Sequence, residues 1–315
     1  MVQRFVRPIH PTAWTTGRIA GALRAGVVLT LAWTVPTLGN DAELSAMASK
    51  GSVDLDYRIY RDWSIELPAE RFDKVGDGFA IPFSQADKYV ARLEGTALGV
   101  DTDGDGEVDV RAEGEKGLVA LRGQTDSGRP FKYALRLDSS RGWRYTVSGA
   151  MVGRIGATKI QLIDQNNNGR YDDFGEDAMV VGRGRSASFL SHVIRVDDQL
   201  YAIDVSPDGS RVDYRPFDGP VGRLDVISKL DTKAKLAVLV IRSLDGRHSF
   251  ELSGEKGAVE VPAGTYALHS GKLALGPTRV SVRAGRSKSF RVSADETRSL
   301  AWGGPLRIEY QYQKE

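Results

Sequence analysis

The 315-residue chain contains no cysteine. This absence excludes a disulfide framework, thiolate metal sites and a cysteine nucleophile. An excess of charge of one sign is also missing, because 43 Lys and Arg residues face 41 Asp and Glu residues and leave a formal charge of +2. Nucleic-acid-binding proteins carry a basic excess that neutralises phosphates. We therefore expect no nucleic-acid partner.

Long apolar runs are scarce too. The stretch "AGVVLTLAWTV", residues 25–35, has 11 residues, whereas a helix needs about 20 apolar residues to span a bilayer. Four arginines precede this run, and the small-residue sequence "AMA" ends at Ala48. A basic region, an apolar segment and an A-x-A site are the parts of a secretory signal peptide. We expect residues 1–48 to be this signal, although cleavage after Gly39 and a short buried helix are alternatives.

Export then sets the expected location and the expected environment. The mature chain is predicted to have no transmembrane span and to lie in the periplasm, on the cell surface or outside the cell of a bacterium. Free calcium in such compartments can be high enough to fill sites with dissociation constants of about 10⁻⁴–10⁻³ M. A cell-envelope or polysaccharide partner fits this location.

After residue 50 the apolar residues recur with period two. The segment "FKYALRL" places Phe131, Tyr133, Leu135 and Leu137 on one face, as a half-buried strand does. The 35 glycines of the chain punctuate such segments, and no convincing amphipathic helix follows the signal. The pattern predicts an all-β fold, with an antiparallel β-rich region over residues 49–219.

A glycine- and proline-containing segment, "FDGPVGR" at residues 217–223, indicates a boundary. About eight short strands are predicted after it, including an apolar central strand "LAVLVIRS" at residues 236–243 and a last strand at residues 305–313. Regular spacing of this kind is typical of an antiparallel sandwich. We expect residues 220–315 to form an antiparallel β-sandwich domain.

Two segments of this part, "LVIRSLDGRHSFEL" and "AVEVPAGTYAL", resemble the small β-sandwich modules of the carboxypeptidase regulatory-like and transthyretin-like group. In those modules a hairpin precedes a "vPaGtY" strand. The resemblance covers roughly residues 224–310. It implies that residues 220–315 form an Ig-like or transthyretin-like accessory domain with a binding or architectural role and without catalysis.

The acidic segment "DTDGDGEVD", residues 101–109 and called loop 1 below, crowds five carboxylates into nine residues. Calcium takes six to eight oxygen ligands, and an oxygen at every second residue of a curled loop supplies several of them. Gly106 occupies the sixth position, where the chain must turn sharply. The predicted calcium ligands are Asp101, Asp103, Asp105, Glu107 through its backbone carbonyl, and Asp109.

A second segment repeats the spacing at "DQNNNGRYDDFGED", residues 164–177 and called loop 2 below. Gly169 stands at the turn and Tyr171 at the anchor position. The predicted ligands are Asp164, Asn166, Asn168, Arg170 through its carbonyl, Asp172 and Asp177, with Asp173 as a further candidate. An Asp- and Asn-rich turn without metal is the alternative, since these residues also favour turns.

Both loops resemble the calcium loops of EF-hand, dockerin and thrombospondin type 3 repeats. Neither has the glutamate that an EF-hand carries at its twelfth position, because Ala112 and Gly175 stand there and Glu113 and Glu176 follow one residue later. No helices flank the loops. The resemblance therefore implies the loop chemistry and not the EF-hand fold.

No arrangement of residues predicts a catalyst. His192, His248 and His269 are isolated among strand residues without metal-ligand spacing, and no G-x-S-x-G motif is present. We expect an exported, calcium-binding, non-catalytic structural or binding protein. A carbohydrate- or envelope-binding module and an uncharacterised secreted hydrolase remain the alternatives, because a pair of glycosidase carboxylates has no sequence signature of its own.

Overall fold

The computed structural model of the protein describes residues 49–125, 128–283 and 288–304. The predicted signal peptide and the predicted strand at residues 305–313 lie outside these ranges. The described residues all belong to one compact unit. They form 25 strands and no helix, which confirms the prediction of an all-β fold. No helix in these ranges is long and apolar enough to cross a membrane.

The strands before residue 217 are short and joined mostly by hairpins. They are β1 (Gly51–Asp54), β2 (Asp56–Ile59), β3 (Asp73–Lys74), β4 (Gly78–Phe79), β5 (Tyr89–Glu94), β6 (Ala97–Val100), β7 (Val110–Ala112), β8 (Lys116–Gln124), β9 (Pro130–Asp138), β10 (Arg144–Val147), β11 (Gly149–Ile155), β12 (Thr158–Ile163), β13 (Ala178–Val181), β14 (Ser188–Phe189), β15 (Val193–Val196), β16 (Gln199–Val205) and β17 (Arg211–Pro216).

These strands form four antiparallel sheets in the described part of the chain. Their orders are β1-β17-β16-β15, β3-β10-β9-β8, β14-β13-β12-β11-β2 and β4-β5-β6-β7. In β9 the side chains of Tyr133, Leu135 and Leu137 are buried, while Lys132 is exposed. The predicted face of this strand is confirmed. Ala134, on the other face, is also buried, because Tyr57 of β2 contacts that position.

In the described ranges, eight strands follow residue 219. They are β18 (Val221–Asp225), β19 (Lys235–Ser243), β20 (Ser249–Glu251), β21 (Val259–Pro262), β22 (Gly264–Leu275), β23 (Thr278–Arg283), β24 (Phe290–Val292) and β25 (Thr297–Ser299). One sheet has the order β20-β19-β22-β23, with β24 also paired to β22, and another has the order β21-β18-β25. The central position predicted for β19 is confirmed. The pairing of β18 with β25 is parallel.

Buried apolar side chains cluster in three main places. One cluster surrounds Tyr89 and Tyr133, a second surrounds Ile160 and Tyr171, and a third surrounds Tyr266. The third cluster includes side chains of β15 and β16 together with strands after residue 220. The two parts therefore share core packing, and their independence as domains stays a prediction.

Candidate functional site

Loop 1 connects the two strands of a hairpin. Val100 of β6 pairs with Val110 of β7, so residues 101–109 form the whole connection. The backbone N–H of Asp109 donates to the carbonyl of Val100 at 3.1 Å and closes the loop at its base. Gly104 and Gly106 have positive φ angles of 84° and 89°, a conformation that glycine adopts without steric cost. The sharp turn predicted at Gly106 is present.

Asp101 organises this loop from within. Its side chain is fully buried. One carboxylate oxygen accepts the backbone N–H of Gly104 at 2.7 Å and that of Asp103 at 3.1 Å, and the other accepts the N–H of Gly106 at 3.0 Å. Hydrogen bonds to a carboxylate are among the strong ones. The chain therefore wraps its N–H groups around this carboxylate.

Three carboxylates of loop 1 converge. Asp101, Asp103 and Asp109 each offer an oxygen, and these oxygens all lie within 4.8 Å of one another. Two oxygens bound to the same calcium lie at most about 5 Å apart, because each calcium–oxygen distance is about 2.3–2.6 Å. The spacing in loop 1 is therefore that of ligands around one cation. Asp103 and Asp109 are exposed.

The remaining polar contacts of loop 1 order its backbone. The carboxylate of Asp109 accepts the N–H and the hydroxyl of Thr102, and these hydrogen bonds lower its pKa. Asp105 accepts the N–H of Glu107 at 2.8 Å. Neither Asp105 nor Glu107 belongs to the converging set found among the described residues. The structure thus brings together three of the five predicted positions by their side chains.

Loop 2 also bridges paired strands. Ile163 of β12 pairs with Ala178 of β13, so Asp164 and Asp177 are the first and last residues of the connection and stand next to the final ladder pair. Tyr171 anchors the middle of the loop, as predicted, because its ring is buried and its N–H donates to the carbonyl of Pro207. Gly169 has φ of 79°. A Cβ atom there would lie 2.5 Å from Pro82.

Asp164 has the central role that Asp101 has in loop 1. Its side chain is fully buried. It accepts the N–H of Asn168 at 3.1 Å, the N–H of Gly169 at 2.6 Å and the hydroxyl of Tyr133 at 2.6 Å. Burial raises the pKa of Asp164 to about 6, and these hydrogen bonds oppose the rise.

Asp177 is buried with one of its oxygens unpaired. Its side chain is 1% exposed. One oxygen accepts the N–H of Asp173 at 3.2 Å, whereas the other has no hydrogen-bond partner. Burial, followed by the negative charges of Asp164 and Asp173, raises the pKa of Asp177 to about 9. An orphaned oxygen at such a position is costly unless a proton or a cation satisfies it.

The other predicted ligands of loop 2 are held by one another. The side-chain amides of Asn166 and Asn168 both donate to the carboxylate of Asp173, at 2.9 Å and 2.6 Å. Asp172 instead forms a two-pronged ion pair with the guanidinium of Arg170. The structure therefore groups Asn166, Asn168 and Asp173, while the side chain of Asp172 is engaged by a neighbour in the loop.

Two residues make hydrogen bonds that position loop 2 and are not predicted from the sequence. Tyr133 comes from β9, and its donation to Asp164 could be anticipated only from the inward face of that strand. Asn167, with φ of 61°, lies between two predicted ligands and accepts the N–H of Val147 at 3.0 Å. An Asn with positive φ in a turn is a recognisable signal, but the partner strand is not.

A third acidic turn, at residues 206–210, forms a plain hairpin connection. It joins β16 to β17, where Val205 pairs with Val212. Asp208 accepts hydrogen bonds from Ser206, Ser210 and Arg129, and Asp204 is exposed on the strand.

The three histidines in the described part of the chain, His192, His248 and His269, contact neighbouring rings or backbone. His192 stacks on Phe174 at a centroid distance of 3.8 Å, and His269 contacts the carbonyl of Pro68. Burial lowers the pKa of His192, His248 and His269. These side chains are packed within the fold.

Comparisons with known proteins identify no family. No protein-family model matches the chain, and a search of curated proteins finds no match. A solved structure of a leucine-rich repeat protein from Bacteroides thetaiotaomicron VPI-5482 is similar over 59% of this chain and 23% of that chain, with 14% sequence identity and a TM-score of 0.20. A similarity at this TM-score carries no inference about fold or function.

Proposed function

We propose that the protein is an exported, non-catalytic structural or binding protein whose two acidic loops bind calcium. The observation that carries the proposal is the convergence of Asp101, Asp103 and Asp109 on a spacing of 4.8 Å or less. Three carboxylates so close repel one another, by about 1 kcal/mol per pair even in water. A divalent cation between them cancels that repulsion. Oxygen ligands alone favour calcium over softer metals.

Loop 2 supports calcium binding through buried carboxyl groups. Two buried carboxyl groups, Asp164 and Asp177, begin and end this loop, and one oxygen of Asp177 lacks a partner. Asn166 and Asn168 contribute amide oxygens at the spacing that calcium loops use. We assign Asp164, Asn166, Asn168, the carbonyl of Arg170 and Asp177 to this site, with Asp173 in place of the ion-paired Asp172.

The predicted role of calcium is stabilisation. Each loop closes a β-hairpin, so an ion that holds the loop also holds the two strands. A ligand that binds the folded state alone adds about 2.7 kcal/mol at a hundredfold excess over its dissociation constant. Because folded domains are stable by only about 5–15 kcal/mol, this contribution makes the stability calcium-dependent.

The proposal includes export and an accessory domain. Weak calcium sites are filled outside the cytoplasm, which agrees with the signal peptide predicted at residues 1–48. We propose that β18–β25 form an Ig-like or transthyretin-like module, supported by the antiparallel sheet of β19, β20, β22 and β23. Such a module suits attachment to the cell envelope or to a polysaccharide.

The test is a thermal melt of the full chain with calcium and with a chelator, combined with calorimetric calcium titration. We expect calcium to raise the melting temperature by several degrees, since about 1 kcal/mol corresponds to roughly 2–4 °C in a chain of this size. The Asp101→Ala, Asp103→Ala double variant should lose the binding event of loop 1. Asp204→Ala, at an exposed strand position, is the matched control and should behave as the wild type.

The proposal fails if the wild-type melting temperature ignores calcium and the titration shows no binding. It also fails if Asp204→Ala reduces calcium binding as much as the double variant does. That result would indicate a diffuse effect of surface charge.

A further inference from the structure

A cavity of about 480 Å³ lies beside loop 2. Its walls come from Pro82 and Phe83, from residues 129–133 at the start of β9, from Gly169 and Tyr171 of loop 2, and from residues 55–57. Small-molecule sites have volumes of about 300–1,000 Å³. The cavity therefore has the size of a binding site.

Aromatic rings dominate these walls. Five of the 16 lining residues are aromatic, whereas aromatic residues make up 8% of the chain. They are Tyr57, Phe83, Phe131, Tyr133 and Tyr171. Flat rings pack against the apolar C–H faces of sugar rings and other planar or ring-shaped ligands. The enrichment favours a ligand with broad apolar faces.

The charges around the cavity balance. Asp56 and Asp208 are the acidic lining residues, and Arg129 and Lys132 are the basic ones. Arg129 and Asp208 form an ion pair at 2.8 Å. A site that selects an anion or a cation presents an excess of the opposite charge. This balance favours a neutral ligand that carries many hydrogen-bonding groups.

Two of the lining rings, Tyr133 and Tyr171, are buried, whereas Phe83 and Phe131 are partly exposed and available to a ligand. Phe83 also has φ of 65°, which a side chain other than glycine adopts at a cost of about 1–3 kcal/mol. Strained backbone of this kind concentrates at binding sites.

We propose that this cavity binds a neutral oligosaccharide, whose sugar rings stack on Phe83 and Phe131 and whose hydroxyls pair with the polar rim. The proposal goes beyond calcium binding and uses side chains that the calcium sites do not. Tyr133 connects the two, because it lines the cavity and donates to Asp164.

The experiment is ligand-observed NMR and calorimetry on the full chain with cellotriose, maltotriose and triacetylchitotriose, and with the anionic trisaccharide trigalacturonate. We expect at least one neutral probe to bind with a dissociation constant of about 1 mM or tighter, and trigalacturonate to bind at least several-fold more weakly. Absence of binding by every neutral probe at about 10 mM, or binding of trigalacturonate alone, overturns the proposal.

Three variants locate the site. Tyr171→Phe removes a buried, unpaired hydroxyl that a ligand in the cavity does not reach, so it should leave the melting temperature unchanged or higher and leave sugar binding unchanged. Phe131→Leu keeps an apolar side chain and should weaken binding about tenfold. Trp143→Leu, at a half-buried tryptophan outside the cavity, is the control. Loss of binding in Trp143→Leu alone places the sugar elsewhere and overturns the proposal.

Titrating the sugar in calcium and in chelator separates the two proposals. Sugar binding in a protein that ignores calcium refutes the calcium proposal alone. Calcium binding with no sugar binding under either condition refutes the cavity proposal alone.

Discussion

Loops 1 and 2 share a centre and differ in their surroundings. In each loop a fully buried aspartate accepts the N–H of the glycine five residues later, Gly106 for Asp101 and Gly169 for Asp164. In loop 1 the further carboxylates, Asp103 and Asp109, are exposed. In loop 2 the further carboxylate at the base, Asp177, is buried.

This difference shows how burial changes the same loop chemistry. Water screens the exposed charges of loop 1, Asp103 and Asp109, so their mutual repulsion is modest whether or not a cation is present. Burial removes that screening in loop 2, so the unpaired oxygen of Asp177 must be satisfied by a proton or a cation. We therefore expect loop 2 to determine how strongly stability depends on calcium, and loop 1 to behave as the weaker site.

Replacing the central aspartate by alanine should lower the free energy of unfolding more in loop 2 than in loop 1. Asp164→Ala leaves the hydroxyl of Tyr133 and the N–H of Gly169 without their acceptor in a buried place, whereas the N–H of Asn168 keeps the side-chain oxygen of Asn166 as an acceptor. At about 1–3 kcal/mol for each buried group, the free energy of unfolding should fall by at least about 2 kcal/mol. Chemical denaturation in calcium measures this change.

Asp101→Ala is the matched comparison. The N–H groups that it frees belong to a loop whose outer residues are exposed, so water can replace part of what is lost. The loss should be smaller than for Asp164→Ala. Equal losses in the two variants would refute the view that burial distinguishes the loops.

Asp177→Asn should stabilise the protein in chelator. Asparagine keeps the shape and removes the charge that burial opposes, so at pH 8 the free energy of unfolding without calcium should rise by at least about 1 kcal/mol, roughly the value of one pKa unit. The calcium response of loop 2 should disappear.

Asp109→Asn should instead lower the free energy of unfolding in chelator, because Thr102 stabilises the charged form and lowers the pKa of Asp109. Paired denaturation curves check both signs.

Part of this comparison is visible in the sequence. The spacing of Asp101 and Gly106, and of Asp164 and Gly169, predicts the shared centre because that geometry depends on residues close in the chain. The period-two pattern of β9 likewise predicts its buried face, including Tyr133. These local features follow from turn and strand geometry alone.

The rest depends on distant parts of the chain. Nothing near Asp164 in sequence indicates that Tyr133 donates to it from 31 residues away. Asp172 occupies the expected ninth position, yet Arg170 holds its carboxylate. The aromatic cavity is assembled from six separate segments, and their convergence has no signature in the sequence. Side-chain direction and burial decide these outcomes, and both are set by tertiary packing.

The buried carboxyl groups of loop 2 should also make the free energy of unfolding depend on pH. Burial raises the pKa of Asp177 to about 9 and of Asp164 to about 6, so the folded state holds these protons more tightly than the unfolded state does. Their contribution is fully present below about pH 4, the unfolded value, and is lost as pH rises through the folded values. In chelator, stability should therefore fall between about pH 4 and pH 9, with a slope of at most about 1.4 kcal/mol per pH unit for one group.

Calcium should flatten this decline, because the ion replaces the proton. Asp177→Asn in chelator should remove the part of the decline between about pH 6 and pH 9. Denaturation midpoints measured across this range in both variants provide the check. A wild-type stability that rises with pH in chelator would show that the exposed carboxylates of lowered pKa outweigh the buried pair.

The smallest expected effect concerns the seventh position, where loop 1 has Glu107 and loop 2 has Arg170. Each residue is assigned to calcium through its backbone carbonyl, so its side chain should tune affinity without changing the fold. Exchanging the charges by Glu107→Arg and Arg170→Glu should weaken calcium binding at loop 1 and strengthen it at loop 2, each by at least about fivefold, since each exchange changes the charge by two units and one unit charge about 4 Å away is worth about 1 kcal/mol in water. Both effects should shrink in concentrated salt, because exposed charges are screened over a few ångström there.

In Arg170→Glu the carboxylate of Asp172 also loses its guanidinium partner and becomes available to the ion. A change at loop 2 that persists in concentrated salt would therefore identify Asp172 as a direct ligand, whereas one that vanishes would confine the role of Arg170 to its charge.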